Sequence, residues 1–151
     1  MEADLSKQSL YLHFSSKQEI FLKATAQYLD EGLILVDHEL ENGGTLFSKI
    51  MAAMDAWFGR HFATYSRQSL DVIPFGDQLS RGRVEKYKDA FRAKLANAIA
   101  ESPEYRGGRT PNEISEVLFI CGLTWKERHE SRTDFMKTMA VCVKVCCQIK
   151  N

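Results

Sequence analysis

Apolar residues recur every three to four positions along almost the whole chain, and no stretch alternates apolar and polar as a half-buried strand would. Ser6 can cap a short helix reaching about His13, with Leu5 and Leu10 placed as a hydrophobic staple. Ser16 followed by Glu19 is the pattern of a capping box for a long second helix, which carries Phe21, Ala24, Tyr28 and Leu35 along one side. That helix is expected to end near Glu41, before Asn42-Gly43-Gly44. Thr45 can cap a third, with Ile50, Met54, Trp57, His61 and Tyr65 in register and Phe58 and Phe62 widening its apolar face. Pro74 and Gly76 then interrupt the pattern, so the segment from Ser69 to Arg83 is expected to hold at most a short helix.

The periodicity resumes at Val84 and steps through Tyr87, Phe91, Leu95 and Ala98 as a fourth long helix. A loop follows, from Ser102 to Thr110. Thr110 as cap, Pro111 at the first helical position and Glu113 as box partner mark the start of a fifth, with Ile114, Val117, Leu118, Cys121 and Trp125 on one stripe. Ser131 with Asp134 opens the last helix, which carries Phe135, Met139, Cys142, Val143 and Cys146. These elements predict an all-α fold.

Length and composition allow one domain of ordinary globular make-up: 151 residues, 44% apolar and 26% charged. Net charge is zero, so no overall basic field advertises nucleic acid, and any such contact must be local. No apolar leader or membrane-length apolar run is present, and a cytoplasmic protein with no membrane partner is expected. Three of the four cysteines, Cys142, Cys146 and Cys147, crowd one end, with Cys121 apart. Cys142 and Cys146 share a helical face, but no Cys-x-x-Cys pair or nearby His completes a zinc set, so reduced, buried thiols are expected and no metal.

The stretch "LSKQSLYLHFSSKQEIF", Leu5 to Phe21, resembles the TetR family of bacterial transcriptional regulators. Ser6, Lys7, Leu10, Tyr11, His13 and Phe14 match that family's recognition helix, and Ser16 and Lys17 match the start of the helix that follows it. The resemblance implies a remnant of a helix-turn-helix over residues 1–16, with the recognition helix at about 6–13, and a ligand-binding and dimerisation domain over 17–151. It implies phosphate contacts by Tyr11, His13 and Lys17. Lys7 would add charge at a helix N-terminus already disposed to bind phosphate, and Gln8 and Ser9 are short polar groups suited to base edges in the major groove. The family has two helices before this one. Only Met1 to Leu5 precede Ser6, so the expectation is a chain that starts inside a DNA-binding domain, through a late-assigned start, a lost front or natural loss, with DNA binding impaired as given.

By the same resemblance the function is transcriptional regulation, with repression the family's habit. The partners are a second copy of the chain, a small-molecule effector and operator DNA where the preceding helices are present. The aromatic group Trp57, Phe58, His61, Phe62 and Tyr65, with Phe75, Tyr87, Phe91 and Trp125, could line a pocket for an apolar or aromatic compound or could equally be core. The last helix is apolar almost all round from Met139 to Ile149, so it must be covered on more than one side. It is either central to the monomer or part of a two-fold four-helix interface built from Val117, Cys121, Met139, Val143 and Cys146. A dimeric ligand-binding module that does not touch DNA is the alternative. An enzyme is not expected: Arg106 to Arg109 ("RGGR") lacks the strand and Lys-Ser/Thr of a phosphate loop, there is no nucleophile elbow, and no cofactor motif is present.

Overall fold

The computed structural model describes residues 8–9, 16–64 and 73–148, with side chains described except at 63–64 and 73–81. All regular structure among the described residues is helical. In order these are α1 (Lys17–Glu41), α2 (Leu46–Met54), a π-helical turn (Asp55–Gly59), α3 (His61–Thr64), α4 (Ile73–Glu101), α5 (Pro111–Arg128) and α6 (Arg132–Cys147). Of the short helix expected over 6–13, Gln8 and Ser9 are described, and both are helical; the rest lies outside the described residues.

Local capping chemistry sets the helix starts. Ser16 Oγ accepts from the Glu19 N–H at 3.2 Å, Thr45 Oγ1 from Ser48 at 3.2 Å and Ser131 Oγ from Asp134 at 3.1 Å. Thr110 and Glu113 complete a reciprocal box, with the Thr110 N–H donating to the Glu113 carboxylate at 2.8 Å and the Glu113 N–H to Thr110 Oγ1 at 3.2 Å. Each bond satisfies a backbone donor that a helix leaves without an internal partner. At α2 a second free donor is met from far along the chain: the Leu46 N–H donates to the Glu104 carboxylate, 3.1 Å from its nearer oxygen.

α1 packs on α2 and α4, α4 on α5, and α5 and α2 on α6. The shared core is Val36 from α1; Ile50, Ala53 and Met54 from α2; Phe58; Phe91, Leu95 and Ile99 from α4; Leu118 and Phe119 from α5; and Phe135, Met139 and Val143 from α6.

Two expectations are corrected. The segment around Pro74 and Gly76 is not irregular: α4 runs unbroken from Ile73 to Glu101. Pro74 stands at its second position, where the missing N–H costs no helical bond and the fixed φ suits the helix. The third helix is not regular along its described length: its first α-helical part ends at Met54, and the π turn adds a residue to the next turn before α3. The wider turn puts Phe58 and Gly59 inside and leaves Trp57 half-buried. Its neighbours make room for it. A Cβ on Gly122 of α5 would overlap the Phe58 ring, and one on Gly32 of α1 would stand 3.1 Å from Trp57. Arg60, just past the turn, lies 4.1 Å over the Tyr28 ring and donates to the Tyr28 carbonyl at 3.0 Å, while Asp55 pairs with Arg132 at the start of α6.

Candidate functional site

Three of the six residues assigned to DNA are described, and Lys17 belongs to α1. Lys17 is exposed in its first turn, directly after the Ser16 cap; Gln8 is exposed and Ser9 half-buried. Lys7, Tyr11 and His13 lie outside the described residues.

Five of the nine residues expected around a ligand come together. Trp57 stacks on Phe91 with centroids 4.9 Å apart and 15° between planes. Phe58 meets Phe91 edge-on at 5.7 Å. Phe62 packs against Phe135 at 5.4 Å, and His61 stands edge-on to Phe62 at 5.6 Å. Two rings missing from the expected set complete the cluster: Phe119, 5.7 Å from Phe58 and 6.0 Å from Phe91, and Phe135, 6.3 Å from Phe58. Such offset and edge-on pairs add about 0.5–1.5 kcal/mol each beyond area burial. Phe119 lies off the stripe through Ile114, Val117, Leu118, Cys121 and Trp125 that the periodicity marks on α5. The buried side of α5 is instead Ile114, Ser115, Leu118, Phe119 and Gly122.

Phe58, Phe91, Phe119 and Phe135 are buried among one another; Trp57, His61 and Phe62 form the half-buried outer rim. Burial, and then the Lys126 charge, holds His61 below the usual histidine range. Tyr87 and Trp125 stand elsewhere. Tyr87 is hydrogen-bonded to Asp30 across α1 and α4, which raises its phenol above the ordinary value. Trp125 stacks on His129 at 5.5 Å beside the α5–α6 corner. Tyr65 lies outside the described residues, and Phe75 is described only as helical backbone of α4. Two surface grooves are lined by described residues. One, about 620 Å³, lies between α1, α2 and α4 beside the Asp37–Lys94 ion pair (2.6 Å); the other, about 590 Å³, lies along α6 by Arg132 and Met136. None of the expected aromatics lines either groove.

For the expected dimer surface the structure revises which residues face outward. Met139 and Val143 are wholly buried in the chain's own core, in a row with Phe135 and Cys147. Val117 is exposed, and the other outward large apolar side chains of these two helices are Ile120 on α5 and Val141 and Val145 on α6, at 52%, 62% and 72% exposure; Ile34 and Leu35 of α1 are exposed as well. Cys121, Cys142 and Cys146 are half-buried. Burial, followed by the neighbouring thiols, pushes Cys121 up to about 11. Among the described residues no three His, Cys, Asp or Glu side chains are arranged to hold a metal ion, and no helix is long and apolar enough to cross a membrane. Set against known proteins, the chain matches no family model, no curated protein and no solved structure.

Proposed function

We propose that this chain is a TetR-like transcriptional regulator: an all-α, dimeric, effector-binding body that carries recognition-helix residues ahead of α1 and works in the cytoplasm without catalysing a reaction. The observation that carries the reading is the join between motif and body. The family-like stretch runs from the recognition-helix residues into Ser16 and Lys17; Ser16 caps α1, and Lys17 stands exposed in its first turn, where a phosphate would meet both a charge and a helix N-terminus. A 25-residue helix starting there links the DNA end to the core through Gly32 and Val36.

Dimerisation fits the outward face of α5 and α6. Val117 and Ile120 on one helix and Val141 and Val145 on the other give a second copy an apolar surface suited to a two-fold four-helix arrangement. The effector is an apolar or aromatic small molecule held against the rim of Trp57, His61 and Phe62. It acts by favouring one spacing of the two DNA-binding ends, since a ligand shifts such an equilibrium only by its difference in affinity for the two states.

The test is selection from random duplexes by the gene product that carries these residues. An enriched two-fold sequence is expected. Lys7→Ala and Lys17→Ala should weaken binding evenly across sequences, each flattening the dependence of log affinity on log salt by about 0.9 per lost phosphate contact. Gln8→Ala should change which sequence is preferred. Absence of any enriched sequence overturns the regulatory reading.

A further inference from the structure

We propose that Asn42–Gly43, at the corner between α1 and α2, is a self-modifying site, where the chain closes to a succinimide and reopens as isoaspartate or aspartate. Among the asparagines of the sequence, Asn42 alone is followed by glycine. It stands just past the end of α1, exposed, with ψ at 145°. The Gly43 N–H, the attacking group, has no hydrogen-bond partner among the described residues. Nothing lies within 4 Å of where a Gly43 Cβ would be, so the peptide after Asn42 is free to rotate and bring the Gly43 nitrogen onto the side-chain carbonyl. The other two described asparagines lack these conditions. Asn97 is inside α4, where the helical ladder holds the peptide that follows it. Asn112 precedes Glu113, whose N–H is held by Thr110 Oγ1 at 3.2 Å.

The Gly43 nitrogen bonds to Asn42 Cγ and gives up its proton; the Cγ–Nδ2 bond breaks and ammonia leaves. His38 Nδ1 stands 3.3 Å from Asn42 Nδ2, in position to hand the departing nitrogen a proton. Water then opens the ring. Attack at the side-chain carbonyl gives aspartate, and attack at the main-chain carbonyl gives isoaspartate. Nothing is oxidised or reduced. The new carboxylate sits at the C-terminal end of α1, the negative end of its dipole, next in sequence to Glu41. The isoaspartyl form also adds a methylene to the main chain between α1 and the Thr45 cap of α2. Both changes loosen the corner where α1 packs on α2, so the site acts as a one-way clock on that packing. It depends on neither DNA binding, the effector nor the dimer.

The experiment incubates the folded full chain at mildly alkaline pH and follows it by peptide mapping and isoaspartyl methyltransferase labelling, with circular dichroism as the check on folding. Modification confined to the Asn42 peptide is expected, with ammonia lost first and the chain of zero net charge then becoming acidic. Hydroxylamine should trap the succinimide and cut the chain between Asn42 and Gly43. Gly43→Ala, which the open space accommodates, should slow the reaction several-fold, and Asn42→Gln should prevent the acidic form over the same period. His38→Gln should slow ammonia loss and leave the ratio of the two products unchanged. The aged chain should melt below the fresh one, and the Gly43→Ala chain should age without that loss. An Asn42 that stays intact while the chain is folded, equal modification at Asn97 or Asn112, or an undiminished rate in Gly43→Ala overturns the proposal. An undiminished rate in His38→Gln overturns the part given to His38.

Discussion

At Gly122 an added methyl group would sit closer to the Phe58 ring than carbon–carbon contact allows, and that ring is held by Phe91, Phe119 and Phe135. Helix propensity alone favours Ala over Gly by about 1 kcal/mol. Overpacking a rigid aromatic core costs roughly 1–3 kcal/mol, so the clash should win. Gly122→Ala is therefore expected to lower stability in urea unfolding. Gly82→Ala, exposed within α4 with nothing near its Cβ position, should raise it by about 0.5–1 kcal/mol. His61 gives a pH signature. Its folded pKa lies below its unfolded one, so the unfolded chain binds the proton more readily. Stability from this group is whole above the unfolded value, near 6.5, and falls as pH drops through it toward the folded value. Denaturant midpoints measured from pH 7.5 down to 5.5 should fall less steeply in His61→Gln than in the parent.

Element starts were written locally. Ser16, Thr45, Thr110 and Ser131 were all legible as caps because a cap is a contact over three residues, and the structure shows each one. Thr110→Ala should cost about 1 kcal/mol by losing one side of the box, and Thr110→Ser should restore most of it; thermal unfolding of the two variants is the check. Two element-scale features were not legible. Pro74 and Gly76 break a helix interior but not its first turn, and their place depended on where α4 begins. The π turn at Asp55–Gly59 has no local signature, because the room for it lies on α1 and α5, at Gly32 and Gly122.

For the molecule as a whole, the outward row on α6 separates a dimer surface from the core. Val141→Lys with Val145→Lys should give a folded monomer, since both side chains already face solvent in the single chain. Val143→Glu should instead unfold the chain, because a charge buried there has no partner and costs several kcal/mol. Sedimentation velocity with circular dichroism separates the two outcomes. An unmodified chain that sediments as a monomer at micromolar concentration removes the dimer from the proposed function.

The sequence by itself determined the all-α class, the order of the long helices and their caps, since periodicity and capping act within a few residues. It also showed that α6 is apolar on more than one side. Only the tertiary structure decided which side faces in. Phe135, Met139, Val143 and Cys147 turn toward Leu118 and Phe119, while Val141 and Val145 turn out with Val117 and Ile120. The aromatic group divided in the same way: Phe58 went into the core because a glycine sixty-four positions later leaves space for its ring. A helix records which residues share a face, but the neighbour that covers that face comes from a distant part of the chain.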